Sequence, residues 1–189
     1  IERFYNFTSE INYTVLDSGS LSLDDNGDII NLSNGSLEII VEYEDDARKG
    51  YSLEFYDNEF YESLYENGTP GKENSIHDNL EQDFSDLEIN EFLPDPIGDD
   101  DADMPNGEFI EIYNKGNDDL DLIGLRLEDD FGHSIIITDT NTEKGTIIKD
   151  KDYLTIYMNG FSGFLNNQDL EMIKLKDLNN DIIDQVSYF

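Results

Sequence analysis

The side chains with the greatest chemical capacity in this chain are acids. Asp95, Asp99, Asp101, Asp103 and Glu108 crowd one stretch that also holds Asp100 and Asn106, with Asp99, Asp101 and Asp103 at every second position. Alternate carboxylates along a looped chain are how oxygen ligands wrap Ca²⁺, so this is the expected metal site, of the weak extracellular kind. It is not an EF-hand, because Met104 stands where the required Gly would be and Ile110 where the bidentate Glu would be. A merely solvated acidic loop is the plainer reading of the same residues. Three smaller clusters read as polar turns: Asp24, Asp25, Asn26 and Asp28; Asp118, Asp119 and Asp121; Glu128 to Asp130. Asn26-Gly27 is hairpin-turn chemistry that needs no ligand.

Catalytic patterns fare poorly, and no catalytic residue is expected. Cys is absent, which removes disulfides, thiolate zinc sites and thiol chemistry. His77 and His133 lack metal-ligand spacing and fall in turn-like sequence. Ser162, in Gly160-Phe161-Ser162-Gly163, lacks the second Gly of a nucleophile elbow. Gly68-Thr69-Pro70-Gly71-Lys72 has its first Gly misplaced for a phosphate loop. Tyr51, Tyr56, Tyr61 and Tyr65 could stack sugars or line a partner groove, although aromatics between strands usually bury or cover an edge.

The elements that position these residues are strands. Leu87–Phe92, Phe109–Tyr113, Leu120–Leu122, Leu125–Leu127, Ser134–Ile137, Thr146–Ile148, Tyr153–Tyr157, Met172–Leu175 and Ile182–Tyr188 are short, rich in Ile, Leu and aromatics, and bounded by Gly, Asn or Asp. Nothing there has a helical period. Regular short strands over about a hundred residues predict an all-β, immunoglobulin-like antiparallel β-sandwich. Residues 47–80 are a dense aromatic stretch that allows one or two strands or a short helical turn, and His77 to Ser85 reads as a linker.

The chain also repeats itself. Leu165-Asn166-Asn167-Gln168-Asp169, then Ile173-Lys174-Leu175, echoes Leu23-Asp24-Asp25-Asn26-Gly27-Asp28, then Ile30-Asn31-Leu32, roughly 142 residues earlier. That distance is domain-sized, so a tandem array is expected. Residues 1–80 would be the closing part of a preceding repeat that begins part-way through, and residues 81–189 a whole domain.

Those residues carry a resemblance. Ile89-Asn90-Glu91 with Pro94, the strand Glu108 to Asn114, Asp119-Leu120-Asp121-Leu122-Ile123-Gly124, Gly145 to Ile148, Tyr153-Leu154, and a closing hairpin with Asp184 and Tyr188 together resemble the lamin tail domain family in its secreted prokaryotic form. The family often has Trp where this chain has Leu125. Within residues 1–80, the hairpin Leu23 to Tyr43, Gly50-Tyr51-Ser52-Leu53-Glu54 and Thr69-Pro70-Gly71 are similar to the end of another such domain. The resemblance implies an immunoglobulin-like sandwich used for binding or scaffolding, without a fixed active site.

Composition narrows the surroundings. Forty-five acids against eleven Lys and Arg give a formal charge of -34, which repels nucleic acid and anionic lipid. Recurrent Ile, Leu, Phe and Tyr exclude a disordered acidic tail, so the acids coat a folded protein. Such a coat suits a salty medium, where screening removes self-repulsion. Sequons at Asn6, Asn12, Asn31, Asn34 and Asn67 point to a glycosylated extracellular or cell-surface face. No apolar run of about eighteen residues occurs, so direct membrane insertion is not expected.

The expectation is a non-enzymatic extracellular structural or adhesion module of a repetitive acidic surface or secreted protein. Its partners would be other protein chains or neighbouring repeats, with polysaccharide a further class, and Ca²⁺ its one candidate cofactor. Two alternatives remain: a ligand-binding appendage of a secreted hydrolase or nuclease, and a filament subunit whose incomplete first repeat is finished by strand complementation. The sequon reading is checked by the intact mass of protein from its native source, which should exceed the polypeptide mass; an unmodified mass overturns it.

Overall fold

Side chains alternate across a strand, so a row of apolar residues at every second position is enough to give a sheet one buried face. The structure is a computed structural model that describes residues 22–24, 26–33, 36, 38–44, 47–161, 163–167 and 170–189. It divides into two compact units, Ile1–His77 and Asp78–Phe189. Among the described residues, no helix is long and apolar enough to cross a membrane.

Among its described residues, the first unit contains two antiparallel hairpins. Strand β1 (Gly27–Ser33) pairs with β2 (Glu38–Glu44), and β3 (Tyr51–Tyr56) with β4 (Glu59–Glu66). Asp57 and Asn58 turn the second hairpin at φ 45° and 70°, the left-handed geometry that matches strand twist. Glu54, buried on β3, accepts hydrogen bonds from Thr69 Oγ1 at 2.8 Å, Ser75 Oγ at 2.9 Å and the Ile76 N–H at 3.2 Å. A carboxylate thereby pins residues 69–76 against the hairpin. On the other hairpin, Ile29 and Ile40 stay exposed at 59% and 61%, as does Ile39.

The second unit is a sandwich. After helix α1 (His77–Leu80) come β5 (Leu87–Leu93), β6 (Phe109–Asn114), β7 (Leu120–Asp121), β8 (Arg126–Glu128), β9 (Ser134–Ile136), β10 (Ile147–Ile148), β11 (Tyr153–Tyr157), β12 (Glu171–Lys176) and β13 (Ile182–Tyr188). One sheet has the order β11-β6-β5, the other β13-β12-β8-β9, and β7 pairs with β10. All these pairings are antiparallel. The fold is the all-β, immunoglobulin-like sandwich expected from the strand pattern.

The core lies between the sheets. From β6 it takes Ile110 and Ile112, from β11 Leu154 and Ile156, from β8 Leu127, from β12 Ile173 and Leu175, with Leu122, Leu125, Ile137 and Phe164 from the connections. Leu125 is fully buried among them. The two sheets also meet at an edge, where Asp184 on β13 accepts the Ile89 N–H of β5 at 2.8 Å and Tyr188 meets Phe92 at a ring distance of 4.7 Å.

His77 to Ser85, read as a linker, is packed instead. Phe84 enters the core, Asn79 donates to the Asp121 and Ile123 carbonyls, and Gln82 exchanges hydrogen bonds with the Asp121 main chain. Polar turn composition concealed this, because Asn and Gln look alike whether they bind water or a carbonyl.

Asn114 ends the buried row of β6 as a polar residue whose bonds are all internal. Its amide donates to the Asp118 carbonyl at 2.8 Å and the Lys149 carbonyl at 3.2 Å, and its oxygen accepts the Gly116 N–H at 2.9 Å. Removing them leaves buried main-chain groups unsatisfied. Asn114→Ala is therefore expected to lose about 2 kcal/mol or more, measured as the denaturant midpoint of the full chain in high salt; an unchanged midpoint contradicts this role.

Candidate functional site

The expected metal-binding stretch is divided by the fold. Asp95, Asp99, Asp101 and Asp103 are exposed in the β5–β6 connection, whereas Glu108 is completely buried. The connection folds back on itself through main-chain bonds, Ala102 N–H to the Asp99 carbonyl at 3.1 Å and Glu108 N–H to the Asp100 carbonyl at 2.9 Å. Gly107, at φ 79°, allows this approach; a Cβ there would stand 2.7 Å from the Ala102 oxygen. Among the described residues, no group of three or more His, Cys, Asp or Glu side chains is placed to hold a metal ion.

Glu108 instead extends the buried row of β6, the series Glu108, Ile110, Ile112, Asn114. The opposed sheet repeats the device, with Glu171 heading the buried row Glu171, Ile173, Leu175 of β12. Each sheet thus sends one carboxylate into the interior from an inner strand. Alternation was the available signal for Glu171, which sequence reasoning did not single out.

Three consecutive residues after β11 meet these acids. Phe164 packs in the core, the Leu165 N–H donates to Glu108 Oε2 at 3.2 Å, and the Asn166 N–H donates to Glu171 Oε2 at 2.5 Å. Tyr188, from the end of β13, donates its hydroxyl to the same Glu171 oxygen at 2.5 Å and accepts the Asn166 N–H at 2.8 Å. Glu108 Oε1 and Glu171 Oε1 are buried without a hydrogen-bond partner.

Electrostatics follow from this enclosure. Burial is the main cause that lifts Glu108 from the ordinary 4.5 to about 7, aided by the charges of Asp100 and Glu171 and opposed by the Leu165 and Phe164 amides. Burial, and then the bond to Glu171, also push the Tyr188 hydroxyl up, so it remains a donor.

The other chemically capable residues shape turns. Asp129, whose side chain is fully buried, accepts the Phe131 N–H at 2.8 Å, the His133 N–H at 2.7 Å and contacts His133 Nδ1 at 2.6 Å across the β8–β9 turn. Asp121 accepts Thr146 Oγ1 at 2.7 Å, Asp119 pairs with Lys149 at 2.7 Å, and Asp24 accepts the Asn26 N–H at 2.9 Å. Ser162 lies outside the described residues, as do Asn6, Asn12 and Asn34; Asn31 and Asn67 are exposed. Tyr51, Tyr56 and Tyr61 are half-buried and Tyr65 is exposed.

With this sandwich in view, the family profile described as Lamin Tail Domain matches residues 81–189. The chain belongs to the lamin tail domain family. No curated protein matches it. Two similar solved structures are the archaellum periplasmic stator protein complex FlaF and FlaG from Sulfolobus acidocaldarius, and FlaG from the same organism. The first is 9% identical, covers 58% of this chain and 93% of that chain, and has a TM-score of 0.36. For the second the values are 11%, 54%, 97% and 0.33.

In this lamin tail domain the raised Glu108 fixes the sign of a pH effect. A folded-state value above the ordinary one contributes stability that is complete below about 4.5 and lost as pH rises through about 7. In chelator and high salt, the melting temperature of the full chain should therefore fall between pH 5 and 8. Glu108→Gln should flatten that fall and melt a few degrees higher at pH 8; parallel profiles for the two proteins contradict the assignment.

Proposed function

We propose that the chain is a non-enzymatic structural module of an acidic extracellular or cell-surface protein, working in adhesion or assembly through contacts with other protein chains. One observation carries this reading: the acids best suited to chemistry are used to hold the sandwich together. Glu108 and Glu171, at 0% and 1% exposure, lie where no substrate reaches them and bind main-chain amides of the loop after β11. Asp129 and His133 form a turn. What faces outward is the acid coat and the strand edges, which suit contact with other chains in concentrated salt.

A specific observation favours assembly as the second reading. On the β1–β2 hairpin, Ile29, Ile39 and Ile40 are exposed on strands that form a two-stranded sheet, and such a hairpin gains from further strands or a covering surface.

Light scattering behind size exclusion, in high salt and over a range of concentrations, tests both. Mass that climbs with concentration, and stops climbing when residues 1–46 are deleted, is the outcome expected of assembly through the first hairpin. A constant monomer removes assembly and leaves a display or adhesion module. Turnover of polysaccharide, ester or phosphodiester substrates by the full chain would overturn the non-enzymatic reading.

A further inference from the structure

We propose that the loop after β11 is a proton-operated latch: residues 163–167 close one end of the sandwich core while Glu108 carries a proton, and come away from it when that proton is lost. What fastens this stretch is unusual. No described main-chain hydrogen bond ties residues 163–167 to a neighbouring strand. Their amides turn to side chains instead, Leu165 N–H to Glu108 Oε2 at 3.2 Å and Asn166 N–H to Glu171 Oε2 at 2.5 Å, with the Tyr188 hydroxyl accepting the Asn166 N–H at 2.8 Å. Phe164 and Leu165, at 0% and 2% exposure, are the apolar part of the closure.

The two fastening acids come from opposed sheets, and their surroundings supply no balancing charge. Both Oε1 atoms are buried and unpartnered. The titratable groups that face Glu108 are Asp100 from the β5–β6 connection, Glu171 from β12 and Tyr188 from β13, none of them basic. The described ion pairs of Arg48, Lys115, His133, Lys149, Lys174 and Lys176 are all with other acids. Two carboxylates enclosed in this way lose hydration and repel each other, and one proton on Glu108 relieves both costs. The Leu165 and Phe164 amides favour the charged form, but burial outweighs them, so the proton leaves near neutrality, at about 7, instead of in acid.

Once ionised, Glu108 must reach water, and the loop is the element that yields. Strand β6 is paired on both sides, to β5 and β11, and β12 likewise to β8 and β13. Moving either strand breaks ladders of main-chain bonds; moving residues 163–167 gives up the carboxylate and tyrosine contacts and the burial of two apolar side chains. Local openings of this kind are drawn from the segments with the fewest such bonds. The open form uncovers Phe164 and Leu165, so alkaline solution presents an apolar patch at the end of the sandwich that acid solution hides.

The test is amide hydrogen exchange of the full chain, read residue by residue by NMR in chelator and high salt from about pH 5.5 to 8.5, with the intrinsic pH dependence of exchange divided out. Leu165 and Asn166 should be protected at least roughly tenfold less than Ile112 and Ile156 throughout, because the loop opens without the core. Their protection should also fall at least about tenfold across the range, since closure is linked to the Glu108 proton. Glu108→Gln should abolish that fall. Asp100→Asn, which withdraws a neighbouring negative charge, should move it to lower pH. Equal protection of loop and core overturns the proposal, as does loop protection that ignores pH or a fall that survives Glu108→Gln. Should the Gln variant not fold, the unaltered protein and Asp100→Asn still decide, an unshifted fall in the latter counting against the latch.

Discussion

Everything in this molecule depends on one constraint: a chain of net charge -34 must bring its apolar side chains together without bringing its acids along. The β-strand solves this through its period of two. In β6, Phe109, Glu111 and Tyr113 face one way while Ile110 and Ile112 face the core; in β12, Met172, Lys174 and Lys176 face away while Ile173 and Leu175 enter it. A helical stripe would need a wider apolar arc per turn. Where self-repulsion is strong, narrow strands with one outward face leave their charged side chains, Glu111, Lys174 and Lys176 among them, at the surface. A slip of register by one residue would carry Glu111 into the core from β6 and Lys174 from β12, so the charged side chains of these strands also specify their pairing.

The exceptions to that separation are instructive. Glu54, Glu108, Asp129 and Glu171 are all buried, and each accepts main-chain N–H groups of an irregular segment. Loops cannot satisfy their own amides as ladders do, so a buried loop needs an acceptor from elsewhere. This chain, rich in carboxylates, recruits them for the purpose. Asn114 and Asn79 serve main-chain carbonyls in the reciprocal way.

Much of the fold was legible beforehand. Tyr153–Tyr157 and Ile182–Tyr188 announce themselves by alternation between Gly, Asn and Asp boundaries, and both stand in the structure with those bounds. The buried acids were harder. In a chain where nearly one residue in four is Asp or Glu, an acid carries little information, and the density of Asp99 to Asp103 drew attention toward the loop. Glu108 is told apart only by its phase with Ile110 and Ile112, and Glu171 by its phase with Ile173 and Leu175. Phase predicts the side of a sheet; it does not predict that Leu165, far from Glu108 in sequence, and Asn166, close to Glu171, will offer their amides. The packing of Asn79 and Gln82 was hidden for the same reason, since their carbonyl partners belong to β7 and the turn after it.

The edge where β5 meets β13 bears on force. Ile89 lies by Asp184 and Phe92 by Tyr188, so residue numbers rise together along the two strands, which therefore run side by side in the same direction. Tension drawn from the start of β5 and the end of β13 pulls these neighbours past each other lengthwise. The Asp184 bond, the Phe92–Tyr188 contact and the strand-to-strand packing between them then share the load together, instead of parting one at a time like a zip. Strands joined in this way give the sandwich its resistance to a lengthwise pull.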